Sequence, residues 1–374
     1  MPVPQGSGVI NRKSARQAVY EEVCDWIITG VLEPGEKILD SELGEYFHVS
    51  RTPVREALQQ LAKLPSVTKD GHAIRLYANL AGTDDLPLLQ QSGAEGVGLL
   101  RSEFLYLGRS SYPTEDELFA SYRQLVQAMD GREIIIRTLD IGADKKADYF
   151  DLPPEDNPAL GLRAIRLCLT RPALLQTQLC AILRASAFGN VGVMFPMVTG
   201  PAELAQLKAA LRDAEDTLCA RGERFGRYQT GVMIETPAAV FMSRELAREV
   251  DFFSIGTNDL IGYTMCADRG NDTISNLYQV YYPAVLRSLK NIIESGVKAG
   301  IMVGMCGEAA ADPLLEPLLI SWGLEEFSMS APSILRARKT ISQWTKAECD
   351  ELAEKALACN TAAEVKALLE SAAR

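Results

Sequence analysis

The 374-residue chain is short of histidine, of positive charge and of any long hydrophobic run, and each shortage removes a class of function. Its two histidines stand in ordinary settings, His48 in Tyr-Phe-His-Val-Ser and His72 in Asp-Gly-His-Ala. Neither is read as a metal ligand or a catalytic base. Thirty-eight Lys and Arg against 49 Asp and Glu leave a net charge of −11, a mean field that repels nucleic acid and anionic membranes. An anionic ligand must therefore be held by a local arginine cluster or a metal. No apolar run approaches the roughly 20 residues of a membrane span, and the N-terminus lacks an apolar signal core. Eight scattered cysteines with no CxxC pair argue for reduced thiols and against a disulfide framework or a zinc site. The chain is expected to be cytoplasmic.

What is there is a change of pattern along the chain. Residues 1–11, rich in Pro, Gly and Ser, read as a disordered tail. A helical block over 14–63 breaks at Leu32-Glu-Pro-Gly-Glu36 and marks a small all-α unit over 12–65. From 66 to 374, apolar runs alternate with amphipathic helices. The runs are Ile74–Leu80, Val97–Leu100, Ile134–Leu139, Val191–Val198, Gly231–Ile234, Phe252–Ile255, Ile301–Met305 and Phe327–Met329. Between them lie helical stretches such as Glu115–Met129, Arg163–Arg184, Pro201–Arg221, Ala238–Val250 and Pro283–Ala299, and a helix pair closes the chain at 345–374. Eight strand–helix repeats predict an α/β fold, a closed (β/α)8 TIM barrel. The unbroken apolarity of the strands fits a sheet buried on both faces. An open doubly wound sheet is the alternative.

In such barrels chemistry sits where strands end. The most informative segment is Asp251-Phe-Phe-Ser-Ile-Gly-Thr-Asn-Asp-Leu260 with Asp268-Arg-Gly-Asn-Asp272, an apolar run that ends in Asn258 and Asp259 and is followed by Arg269. Asn-Asp pairs are also common in turns. The pattern recurs, however, at Arg101 and Glu103, Arg137 and Asp140, Phe195-Pro-Met197, Glu235-Thr-Pro237, Cys306-Gly-Glu308 and Ser328-Met-Ser330. Arg101, Arg137, Arg269 and the loop residue Arg163 offer planar forks for phosphate and carboxylate oxygens. Glu235 and Asp259 are hard ligands of the kind Mg²⁺ takes alongside substrate oxygens. Cys306, with Gly307 beside it and Gly304 two residues before, is a thiol that can protonate a carbanion-like centre if its surroundings set a suitable pKa. Lys145, in Gly-Ala-Asp-Lys, is equally readable as a surface charge. Together these groups suit a small, multiply anionic, phosphorylated carboxylate held with a metal.

Residues 67–370 carry the motifs GVGLLRSEF, IIIRTLDIGADK, NPALGLRAIR, RASAFG, MFPM, MIETPAA, DFFSIGTNDL, DRGND, GMCGE and EEFSMSAPS. On these the segment resembles the phosphoenolpyruvate-binding C-terminal domain of enzyme I of the sugar phosphotransferase system. The resemblance implies a dimeric barrel that binds phosphoenolpyruvate and Mg²⁺. Arg101, Arg137, Arg163 and Arg269 would hold phosphate and carboxylate, and Asn258 would assist the phosphate. Glu235 and Asp259 would ligate the metal, and Cys306 would protonate C3 of the enolate. The chain departs from the family at Ser102 (usually Thr), at Ala143 (usually Gly) and at Ile261-Gly262 (usually Thr-Gln, two polar side chains near the site). Enzyme I also carries an N-terminal phosphohistidine domain. Neither His48 nor His72 resembles its acceptor motif, so the chemistry is expected to need a histidine domain or carrier protein in trans.

The stretch LEPGEKILDSELGEYFHVSRTPVREAL, from Leu32 to Leu58, resembles the winged helix-turn-helix of GntR-type regulators. Pro53 suits the first turn of a recognition helix. Its start would present Arg51, Thr52 and Arg55 to a DNA operator, over a buried stripe of Val54, Leu58 and Leu61. Residues 1–65 hold seven Lys/Arg and nine Asp/Glu, so the unit is no general polyanion surface. The wing looks cut short: Val67–Leu76 could form a hairpin about Asp70-Gly71, yet the same segment must lead into the barrel. Two functions follow, a phosphotransferase barrel or a phosphoenolpyruvate-sensing, DNA-binding transcriptional regulator; a fusion remnant is the third reading.

Overall fold

A computed structural model describes residues 15–29, 40–62, 64–142 and 147–373. The expected tail, the break at 32–36, Ala143 and Lys145 lie outside the described residues. Eight strands pair in chain order, every pair parallel: β1 (Arg75–Leu80), β2 (Gly96–Arg101), β3 (Ile134–Arg137), β4 (Val191–Phe195), β5 (Tyr228–Ile234), β6 (Phe252–Ile255), β7 (Met302–Met305) and β8 (Glu326–Met329). The last closes on the first, with Arg75 opposite Glu326 and Ala78 opposite Met329. The closure rules out an open sheet. Each run forms a strand because its apolar residues are buried both toward the barrel axis and under the helices.

The helices are α1 (Ala15–Thr29), α2 (Asp40–Tyr46) and α3 (Arg51–Ala62) in the N-terminal head, then α4 (Leu86–Ser92), α5 (Glu115–Ala128), α6 (Ala164–Thr170), α7 (Pro172–Ser186) and α8 (Pro201–Ala220). They continue with α9 (Pro237–Phe241), α10 (Ser243–Leu246), α11 (Thr257–Met265), α12 (Pro283–Ala299), α13 (Glu316–Trp322), α14 (Ile334–Ile341), α15 (Lys346–Ala358) and α16 (Ala362–Ala372). Proline opens α7, α8, α9 and α12, where its missing N–H is not needed. Capping boxes Thr114–Glu117, Thr345–Glu348 and Thr361–Glu364 open α5, α15 and α16. Two expected helices are each divided. Arg163–Arg184 breaks at Arg171 (φ −125°, ψ 69°), the extended residue that Pro172 demands before it. Ala238–Val250 breaks at Met242 into α9 and α10.

Inside the barrel Leu99, Ile135, Met194, Met233, Phe252 and Cys306 form a separate apolar cluster. The head has a small core of Val19, Val23, Leu43, Val54 and Ala57, completed by Leu335 from α14 of the barrel. Of the expected recognition stripe, Val54 is fully buried, while the side chains of Leu58 and Leu61 lie outside the described residues. The wing segment is a tight antiparallel turn: Val67 bridges Ala73, and Gly71 takes φ 87°. It is fastened to the barrel, with the Lys69 amide donating to Trp344 O (2.7 Å) and the Lys346 amide donating to Asp70 (2.9 Å). The hairpin therefore forms, but as part of the barrel's base.

Candidate active site

The C-terminal strand ends bring their charges into one connected line. Arg137 Nη2 lies 2.6 Å from Glu103 and 3.2 Å from Asp140. Arg163 Nη2 lies 3.0 Å from the other oxygen of Asp140, and its Nη1 lies 2.8 Å from Asp259. Both guanidiniums are buried, yet their pKa values rise: burial opposes the charge and the facing carboxylates outweigh it. Gly142 makes room for this line. It sits at φ 119°, and a Cβ there would meet the Arg163 Cβ at 2.5 Å. Arg163 and Asp259, expected to serve phosphate and metal separately, hold each other.

Glu235 leaves the end of β5 into a fully enclosed position, where it accepts a 2.6 Å hydrogen bond from the Met197 amide. Met197 takes φ 58° to aim that amide, a cost tolerated by a bulky residue only where surroundings enforce it. Burial, then the nearby Asp259 and Asp140, push the Glu235 carboxyl up to about 8. Acidic groups crowded without equal positive charge suit a cation, and two oxygen ligands from protein are what Mg²⁺ takes beside substrate and water. A Cβ on Gly256 would stand 2.6 Å from Glu235 Oε2, so the glycine leaves room for the buried carboxyl. Among the described residues no group of three or more His, Cys, Asp and Glu side chains could hold a metal unaided.

Asn258 and Asp259 sit in the first turn of α11. The Asn258 amide group donates to Glu308 (3.2 Å) and its oxygen accepts from the Glu308 amide (3.3 Å). Tyr278 donates to Asn258 O at 2.8 Å, and exposed Arg269 lies close enough to Tyr278 to oppose the upward push of burial on that phenol. Arg101 ends β2 in register with Arg137. It is half-buried, with no ion pair among the described residues. Cys306, 3% exposed, caps β7 from inside the barrel, its amide bonded to Ile255 O at 3.1 Å. Burial pushes its thiol up to about 11 against the pull of Ser254 and Arg137, so it is a protonated thiol at neutral pH.

Other partners were not assigned from sequence. Glu103 and Asp140 were visible at strand ends but carried no role; they are the groups that orient Arg137 and Arg163. Tyr263 supports Arg163 at 3.1 Å. Gln178 accepts from the Leu139 amide (2.8 Å) and donates to Ser102 (2.9 Å) and Tyr122 (3.0 Å), fixing the loop after β3. Nothing in the sequence sets Gln178 apart from Gln176 and Thr177 beside it in the same helix. Ile261 is buried in the main core, so its departure from the family pattern changes packing and not a site-facing group. In the head, Arg51, Thr52 and Arg55 are exposed at the start of α3, as a recognition helix requires.

Residues 55–346 match the family described as PEP-utilising enzyme, PEP-binding domain. The chain belongs to this family. Residues 15–69 match the gntR family of bacterial regulatory proteins, which makes the head a GntR-type helix-turn-helix. The two matches overlap across α3 and the wing segment. The chain is 49% identical over 317 residues to the phosphoenolpyruvate-protein phosphotransferase of Staphylococcus carnosus, covering 84% of this chain and 55% of that protein. It is 48% identical over 311 residues to that of Bacillus subtilis, covering 83% and 55%. For that of Listeria monocytogenes the figures are 46% over 368 residues, 97% and 64%. The chain thus spans little more than half the length of the curated relatives it matches. Among the described residues no helix is long and apolar enough to cross a membrane.

Proposed function

We propose that the barrel binds phosphoenolpyruvate with Mg²⁺ and passes the phosphoryl group to a histidine on a domain outside these 374 residues, releasing pyruvate. The observation that carries this reading is the line Glu103–Arg137–Asp140–Arg163–Asp259 meeting Glu235 on one rim. Cys306 lies among the side chains beneath it. Arg101, Arg137, Arg163 and Arg269 hold phosphate and carboxylate, with Asn258 at a phosphate oxygen. Glu235 and Asp259 hold Mg²⁺, which when bound neutralises phosphate charge. Arg163 then exchanges its bond to Asp259 for one to the substrate. The bridging P–O bond breaks, its electron pair stays on the enolate oxygen, and the phosphoryl group goes to the histidine. The Cys306 thiol, kept protonated by burial, gives its proton to C3 of the enolate. Fixed arginines aimed at developing charge are the expected main source of rate.

A second reading has its own support. Arg51, Thr52 and Arg55 stand exposed on α3, and the head's core is completed by a barrel residue, Leu335. A dimer of such chains suits a palindromic operator, with the barrel as a phosphoenolpyruvate sensor. The test is pyruvate release from phosphoenolpyruvate and Mg²⁺ in the absence and presence of an enzyme I histidine domain, with Cys306→Ala as control. Release that needs the domain and disappears in the variant is the expected result. Saturable binding with no turnover would give the chain to the regulator reading.

A further inference from the structure

Asp259, one of the two carboxylates expected to take a metal, already holds a cation. Arg163 Nη1 stands 2.8 Å from Asp259 Oδ1 and Nη2 stands 3.4 Å from Oδ2, so the guanidinium fork covers both oxygens. The same Nη2 reaches Asp140 at 3.0 Å. The two acids differ in access: the Asp140 side chain is 1% exposed, that of Asp259 is 29% exposed, and the guanidinium between them is 5% exposed. Tyr263, one turn beyond Asp259 on α11, accepts from Nη1 at 3.1 Å and donates to Ala159 O in the loop that leads to Arg163. This guanidinium therefore fastens the loop before α6 to α11. Two details mark the fastening as held under constraint. Ala164, next in the chain and fully buried, takes φ 51°, a left-handed conformation uncommon for a residue with a Cβ. Arg163 Nε, also buried, has no acceptor among the described residues, so this pose leaves a strong donor unused.

Asp259 cannot serve this guanidinium and a metal together, because two cations on one carboxylate repel each other. Nor can Arg163 simply let go, since a charge so enclosed needs a negative partner. Asp140 is not enough by itself, because it is shared with Arg137 at 3.2 Å. We propose that Arg163 is a resident cation that locks the metal position at Asp259, so that Mg²⁺ and the anionic substrate are admitted only as a pair. The identity of that anion rests on the proposed phosphoenolpyruvate site; the lock itself is the ion pair. When a phosphate oxygen replaces Asp259 as the acceptor for Arg163, the carboxylate is released. Asp259 and Glu235, close enough to influence each other's charge, then call for a cation in its place. An anion alone would leave these two acids uncompensated, and a metal alone would leave Arg163 short of a partner. Each ligand thereby raises the affinity for the other, by the same factor in both directions.

Calorimetric titration of the full chain with Mg²⁺ alone tests the lock without turnover. Arg163→Met is expected to bind Mg²⁺ about tenfold more tightly than the wild-type chain, although it removes a residue of the site. Arg137→Met is the control for charge: Arg137 also acts on Glu235 from a distance, but it bonds Glu103 and Asp140 and not Asp259. Its effect on Mg²⁺ affinity should stay below about threefold. Affinity unchanged or weakened in Arg163→Met, or raised equally in both variants, overturns the lock. The wild-type chain supplies a measurement that needs no variant. Saturating phosphoenolpyruvate should tighten Mg²⁺ binding about tenfold or more, and the gain should shrink in Arg163→Met. Equal Mg²⁺ affinity with and without bound phosphoenolpyruvate overturns the lock as well. A wild-type chain that does not bind phosphoenolpyruvate refutes the proposed function, and the comparison of Mg²⁺ binding between wild type and Arg163→Met still decides the lock.

Discussion

The barrel and the head differ in what holds their functional residues. In the barrel the charged groups stand at strand ends or on the loops and first helical turns that follow them, and the strands belong to a closed sheet with a continuous core. Arg137, Arg163 and Glu235 are consequently buried and bonded to one another's neighbours on the rim. In the head, Arg51, Thr52 and Arg55 are exposed on a short helix over five buried residues, and the sixth member of that core is Leu335 of the barrel. A unit this small buries a modest share of its apolar surface by itself. The barrel preorganises its site with its own residues, whereas the head borrows a core residue, Leu335, from the barrel. Leu335 lies in the first turn of α14, shortly after the end of β8, so any signal between the two parts has a short path.

The largest expected effect comes from breaking the barrel's own line of charge. Arg137→Met should cut pyruvate release at least ~10²-fold. It should also cost about 3–5 kcal/mol of stability, because the buried carboxylates Glu103 and Asp140 each lose an ion-pair partner. Thermal melts and single-point assays check both, and a stable, active variant would refute the preorganised line. Next comes the joint between the parts. Leu335→Ala should weaken the head's packing by about 2–3 kcal/mol and speed proteolysis within 15–62 by at least tenfold, leaving phosphoenolpyruvate binding untouched. Equal proteolysis of both proteins would mean the head stands by itself. Arg55→Ala sharpens the regulator reading: operator affinity should fall by about 1–3 kcal/mol, with ligand binding unchanged. Unaltered DNA affinity would count against that reading.

A pH dependence is also expected, confined to the barrel. Glu235 is raised from the ordinary glutamate value to about 8 by burial and by its acidic neighbours. In that window the folded chain keeps a proton the unfolded chain has lost, so stability falls as pH rises from about 4.5 towards 8 in metal-free buffer. Added Mg²⁺ should flatten the fall by favouring the ionised carboxylate. Melting temperatures measured with chelator and with Mg²⁺ decide it; a metal-free curve that rises across this range is the contrary result.

Much of the fold was legible because its signals are local. Phe252–Ile255 and Pro283–Ala299 appear with the bounds expected of them, since apolar runs, proline at first helical positions and glycine ends act over a few residues. The residues at strand ends could likewise be named, because chain order alone says where a barrel strand stops. Less legible were Gln178 and the division at Met242, which depend on neighbours far along the chain or on a single backbone angle, whereas the break at Arg171 is signalled locally by Pro172.

The amino-acid sequence by itself determined the alternation of strands and helices and the kinds of groups offered at the rim. Only the tertiary structure decided which of those groups meet. Arg163 and Asp259 are 96 positions apart, and Leu335 completes a core begun at Val19. It also decided that the wing segment is fastened to Trp344 and Lys346. The reason is physical: periodicity reports which face of an element is apolar, whereas pairing across the barrel exists only once the sheet has closed and removed water from between the partners.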